Sequence, residues 1–235
     1  MPRVPLLEDL TNAPVPAGSS ILVEYDPSSL WYDASVSIAA GWLRTGGKIW
    51  YNVAVQRPDD IRSQLMRHAL NVEELEKDEK LQIVDHYSVS LGQRSKERSA
   101  PVSMKVADQS IEFMKNEAQM HGEMPEVLGV RDDLSILDRF NQERSWVEFL
   151  LTRYIPIIKR LKVTAIRGLI SGIHSDWAYR QLEAANDGIV DFKLEEEGSK
   201  GSRNLIRIRR MRNIDYDREW HPLLVGEKLE ITLEK

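Results

Sequence analysis

The first segment whose residue types and position could do chemistry runs from Glu24 to Asp33. It follows a short apolar run, Ile21-Leu22-Val23, suited to a buried strand, and leads into Trp31, Ala34, Ile38 and Trp42, which share one face at helical spacing. In open α/β sheets ligands bind beyond the carboxyl ends of strands, so this strand-to-helix loop is the natural place for a phosphate group. A phosphate loop of the pattern GxxxxGK followed by Ser or Thr uses glycines to turn amides inward, a lysine on the outer phosphates and a hydroxyl on magnesium. Tyr25, Asp26, Pro27, Ser28, Ser29, Trp31 and Tyr32 supply neither the glycines nor the lysine. The aromatic side chains among them either stack on a base or fill the space a nucleotide would take.

Three other groups carry chemistry-bearing residues. Five arginines lie between Arg203 and Arg212. On a regular strand Arg203, Arg207 and Arg209 share one face, opposite Ile206 and Ile208, while Arg210 and Arg212 change sides. Such a strand either binds phosphate oxygens or is a solvated edge kept from aggregating by its charge. Asp132, Asp133 and Asp138 could hold a hard cation, although Asp132 and Asp133 also read as a loop ahead of a strand at Leu134 to Asp138. The histidines at 68, 86, 121, 174 and 221 have no zinc-ligand spacing, and His174-Ser175-Asp176 lacks the setting of a nucleophile elbow, so no metal site and no catalytic residue is assigned.

The elements that must position these residues alternate. Strands are expected at Ser20 to Glu24, Lys48 to Val55, Leu81 to Val84, Leu134 to Asp138 and Val163 to Ile170. Helices follow Leu30, Asp59, Ser103 and Trp146; the third carries a core stripe of Met104, Ala107, Ile111, Met114 and Ala118, and Pro156 interrupts the last. Gly92 to Pro101 reads as an exposed loop or flexible link. Ile189 to Leu194, Leu205 to Met211 and Leu229 to Leu233 read as successive antiparallel strands at one sheet edge. The fold class is therefore α/β, a mainly parallel sheet with helices on both faces and an antiparallel C-terminal hairpin. Residues 1–17 read as an N-terminal extension and residues 18–235 as a single domain.

Composition sets the outer limits. With 42% apolar residues the chain can build a core, and its net charge of -5 argues against a surface designed mainly for nucleic acid. The lack of cysteine removes disulfides, thiolate metal sites and cysteine nucleophiles. Neither a secretory signal nor a long apolar stretch is present, so a cytoplasmic protein without a membrane contact is expected.

Taken in order, these pieces resemble the KaiC-like branch of the RecA-type P-loop ATPases, common in archaea, over about Gly18 to Ile231. Pro16 to Val23 is similar to the family's approach to its first strand, and Pro27 keeps the proline of its phosphate loop. On that alignment the family lysine falls on Trp31 and its magnesium-binding hydroxyl on Tyr32. The paired glutamates that prepare the attacking water fall on Val55 and Gln56, and the strand-end aspartate falls on Asp138. The terminal hairpin resembles Leu205 to Arg212 and Asp217 to Leu223, where the resemblance implies that Arg210 and Arg212 reach a neighbouring subunit. The resemblance thus implies a three-layer RecA-like fold that has lost its ATPase chemistry: a regulatory or interaction subunit pairing with itself or with an active relative, with ATP and magnesium disfavoured. A divergent ATP-binding or ATP-hydrolysing protein and a DNA-binding recombinase-like accessory protein are the alternatives.

Overall fold

The computed structural model describes residues 3–117, 122–196, 201–227 and 230–234. The described strands form one sheet in the order β3-β2-β4-β5-β1-β6-β7-β8-β9. β1 is Ser20–Tyr25, β2 Lys48–Val53, β3 Leu81–Asp85, β4 Val127–Arg131, β5 Thr164–Ile170 and β6 Gly188–Glu196. These six run parallel. β7 (Ser202–Met211), β8 (His221–Val225) and β9 (Ile231–Leu233) extend the sheet antiparallel from β6.

Register in the parallel part assigns the two faces. Ile83, Tyr51, Val130, Ile166 and Ile21 lie in one row, all buried in the larger core. Against this face packs α1 (Trp31–Arg44), joined by α2 (Pro58–Arg67). The other face is covered by α6 (Glu143–Phe149), a π-helical turn at Leu150–Tyr154, α7 (Ile155–Arg160) and α8 (Asp176–Ala185). The π turn stands just ahead of Pro156, whose ring cannot accommodate the carbonyl one turn back in a continuous α-helix.

Several expectations need correction. Leu134 to Asp138 is not a strand: Ser135–Arg139 is a 3₁₀ turn, and the strand is the preceding β4. The stripe assigned to the helix after Ser103 is not the packed one. In α5 (Val106–Glu117) Val106 and Gln109 are buried, as is Met104 just before it, whereas Ala107 is exposed and Ile111 is half exposed. Met114 and Ala118 lie outside the residues whose side chains are described. Two short helices, α3 (Val72–Lys77) and α4 (His86–Ser90), were not foreseen.

Residues 92–101 do form a loop, but one that is tied down. Arg62 holds Glu97 at 2.6 Å, Ser95 Oγ donates to Asp85 at 2.6 Å, and Ser99 bridges β3 through Val84. No helix among the described residues is long and apolar enough to cross a membrane.

The N-terminal segment packs into the main core. Val4, Leu6, Leu7 and Leu10 are each 5% exposed or less, and the segment bonds to the C-terminal region through Asn12 N to Asp215 O and Asp217 N to Leu10 O. Burying such side chains is worth about 1.5–3 kcal/mol each at most. Removal of residues 1–10 is therefore expected to cost several kcal/mol, up to about 6–12 for the four side chains, read as a lower urea midpoint for the truncated chain.

Candidate functional site

β5 lies between β1, which feeds the Asp26–Leu30 loop, and β4, which ends at Arg131 just ahead of Asp132. The crevice above the carboxyl ends of these strands is where a nucleotide would sit. The loop is short and closed on itself. Asp26 Oδ1 accepts from Ser28 N at 2.8 Å, Ser29 N and Oγ both bond to Asp26 O, and Leu30 N donates to Asn204 Oδ1 on β7 at 2.9 Å. Its first amides are thus spent on the loop itself and on β7.

Trp31, the first residue of α1, is fully buried and its indole crosses β5. Nε1 donates to the backbone carbonyl of Asp132 at 2.7 Å. The crossing works because β5 carries Gly168 at this level: a Cβ there would come within 2.3 Å of Trp31 Nε1 and 2.2 Å of Asp132 O. Around the indole stand Phe192, edge-on at 5.5 Å, and Tyr25 at 6.1 Å between ring centres. Tyr25 and Tyr32 share a hydroxyl hydrogen bond of 2.7 Å. Burial pushes the Tyr32 phenol up to about 12 and Tyr25 higher still, so both hydroxyls stay neutral.

The acidic residue at this crevice is Asp132, not Asp138. Asp132 is wholly buried, and its carboxylate accepts from Ala54 N at 2.8 and 3.0 Å, Val55 N at 3.1 Å and Asp133 N at 2.7 Å. Burial raises it to about 6 while the amides of Ala54 and Val55 pull the other way. Asp138 lies on the 3₁₀ turn, exposed, accepting from Trp146 Nε1 at 3.2 Å. The sequence did carry a signal for Asp132: it follows the strand that neighbours β5, but that strand contains Gly129 and Arg131 and so does not look apolar.

Val55 and Gln56 stand after β2 as aligned, Val55 bonding Asp132 through its amide and Gln56 Oε1 accepting from Gln64.

The structure also brings Asp138, Glu143 and His174 together, with potential ligand atoms within 4.8 Å of one another, although no sequence spacing announces it. All three have hydrogen-bonded or ion-pair partners: His174 Nε2 bonds to Ser135 Oγ at 3.0 Å, His174 Nδ1 lies 3.5 Å from Glu143, and Glu143 accepts from Ser175 N at 2.9 Å. Asp133, the remaining acidic candidate, is buried and accepts from Ser135 N at 2.7 Å.

The arginine strand is folded inward. Arg207 pairs with Asp191 at 2.6 Å, and Arg209 with Glu24 at 2.6 Å and Glu183 at 3.0 Å. A bulge opposite Ile189 and Val190 breaks the alternation, so Arg210 does not change sides but reaches α8 beside Arg209. Arg210 donates to the carbonyls of Glu183 and Asn186, and Arg212 to that of Ala184 at 2.8 Å. Both arginines thus satisfy the orphan carbonyls at the end of α8 and complement its dipole.

The architecture is that of a RecA-type nucleoside-triphosphatase: a parallel sheet covered on both faces, with a strand-loop-helix and a strand-end aspartate around one crevice. Comparisons place it within that class. The family model described as "ATPase: KaiC" matches residues 40–234, and the chain belongs to that family. Among solved structures it is similar to the KaiC-like protein PH0186 from the hyperthermophilic archaeon Pyrococcus horikoshii OT3, with a TM-score of 0.74 and 17% identity over 100% of this chain and 97% of that one. A search of curated proteins finds no match.

Because Asp132 ionises near pH 6 in the folded chain and near 4 when unfolded, the folded state binds its proton more tightly. Its contribution to stability therefore falls as pH rises from about 4 to 6. Asp132→Asn should make the slope of unfolding free energy against pH more positive in that window, measured by urea titration at each pH. An unchanged slope would contradict the buried carboxyl.

Proposed function

We propose that this KaiC-family chain does not hydrolyse ATP and acts as a binding or regulatory subunit. The observation that carries the reading is the Trp31 indole, which spans the crevice and donates to Asp132 O where an outer-phosphate lysine would work. Magnesium does not fit the residues present. The carboxylate of Asp132 already takes four backbone contacts, and the hydroxyl position is held by Tyr32, which bonds to Tyr25. The positions that prepare the attacking water carry Val55 and Gln56, neither of which is a general base.

The fold then serves a protein partner, either a second copy or an active KaiC-family relative. Arg210 and Arg212 contribute in trans only by leaving the end of α8, so the partner contact is proposed not to depend on them. Nucleic acid is disfavoured because Arg207 and Arg209 are already neutralised by Asp191, Glu24 and Glu183.

Phosphate release measured with ATP and magnesium should stay at the buffer rate, and equilibrium dialysis should detect no bound ATP at millimolar nucleotide. Magnesium-dependent turnover that vanishes in Asp132→Asn would overturn the proposal. A separate expectation concerns the arginines: Arg210→Met should lower stability by about 1–3 kcal/mol, because it strips donors from the end of α8, as read from the urea midpoint.

A further inference from the structure

The sheet face opposite α1 carries a row that a parallel core rarely holds. Val84, Asn52, Arg131, Arg167 and Leu22 are register neighbours across five strands, so two arginines stand side by side in the middle of the sheet. They are 7% and 1% exposed. One step back, the same face carries Trp50, Gly129 and Ala165, whose small middle members leave room beside the indole. Above Trp50, Asn52, Arg131 and Arg167 is a cavity of about 370 Å³, walled by Leu150, Tyr154 and Ile157 and bordered by the Arg98–Pro101 loop.

The charge balance inside it is one-sided. Arg98, Arg131, Arg167 and His86 line the cavity, and among the described residues no aspartate or glutamate does. Arg167 donates to neutral acceptors, Ser20 Oγ and Asn186 Oδ1, and Arg131 Nε only to Asp133 O at 3.3 Å. Arg131 Nη2 and Arg167 Nε and Nη1 have no hydrogen-bond partner among the described residues. The carboxylates whose charge reaches them are engaged elsewhere: Asp132 and Asp133 with backbone amides, and Asp187 with Lys159 at 2.9 Å and Ser20 N at 3.0 Å. Leaving a guanidinium buried and unpaired costs several kcal/mol, which an anion between the two arginines would offset. Desolvation lowers both arginines, Arg167 to about 10, and holds His86 neutral beside Arg131.

We propose that this cavity binds a small organic anion, a carboxylate or phosphate monoester on an apolar body. Its charged oxygens lie between Arg131 and Arg167, and its body lies over Trp50 against Leu150 and Tyr154. The volume is that of a small-molecule site, and the mixture of apolar walls with a few convergent polar groups is what such sites share. The π turn at Leu150–Tyr154 contributes by placing the Tyr154 ring 5.3 Å from the Arg167 guanidinium, a local distortion frequent at functional sites. The proposal does not rest on the reading of the Trp31 crevice: Trp31 belongs to the core on the α1 face, whereas the cavity walls Leu150 and Ile157 belong to the cores on the other face.

The test is calorimetric and thermal titration of the full chain with 3-phenylpropionate, phenyl phosphate and the neutral 3-phenylpropanamide. At least one anion should bind and raise the melting temperature, the neutral amide should not, and the two anions distinguish the head group. Arg131→Met should weaken anion binding by about tenfold or more while raising the melting temperature of the free protein, since it removes a buried charge that no carboxylate among the described residues pairs with. Gly129→Val keeps both arginines and places an isopropyl group between Trp50 and Ala165, where an added Cβ meets nothing closer than 3.8 Å; it too should abolish binding. The inference is overturned if neither anion binds at millimolar concentration, if the amide binds as well as the acid, or if binding persists unchanged in both variants.

Discussion

The hydrogen bond from the Trp31 indole to the carbonyl of Asp132 is the contact on which the rest of the crevice depends. It joins the first turn of α1 to the end of β4 over the backbone of β5. It requires a glycine at 168, because any side chain there would occupy the path of the indole. Once the indole is in place, Tyr25, Tyr32 and Phe192 close around it, and the two phenol hydroxyls satisfy each other rather than a ligand. A phosphate loop keeps its amides unspent for an anion. Here the loop amides bond to Asp26 and Asn204, so the loop that seats the indole also spends its own amides.

Charge is divided along a single face of the sheet, the one that α8 and the π turn share. Toward α8 the cationic strand β7 is matched by Glu24, Glu183 and Asp191, and its last arginines cap the helix. Farther along that face, beneath the π turn, Arg131 and Arg167 have no such match among the described residues. Two sets of arginines in one small protein therefore stand in opposite situations, and the unmatched pair is the one that lies in a cavity.

Much of the fold was legible because periodicity reports burial directly. The α1 stripe and the runs of β1, β3 and β5 are read from apolar spacing alone, and their order implies the parallel sheet. β4 was hidden by the residue that makes it interesting: an arginine and a glycine interrupt its apolar run, while the aliphatic Ser135-Ile136-Leu137 that follows mimics a strand. The strand-end aspartate was consequently placed at Asp138 instead of Asp132. The aromatic filling of the loop was legible as one of two readings, since residue types say that the glycines and lysine of a phosphate loop are missing but not what occupies the space. Gly168 and Asn204, which decide it, lie far away in sequence and become neighbours only through the sheet. The inward turn of Arg210 was invisible because it depends on a bulge in pairing with β6.

The most direct test of the central claim is nuclear magnetic resonance of the indole N–H of Trp31 in ¹⁵N-tryptophan-labelled protein, assigned by Trp31→Phe and recorded with and without magnesium and ATP. A buried indole hydrogen-bonded across the crevice predicts a single resonance that exchanges slowly with solvent and keeps its chemical shift when millimolar nucleotide is added. A resonance that exchanges rapidly, or that moves in a saturable way with ATP, would mean that the indole leaves the crevice and that the nucleotide site is open.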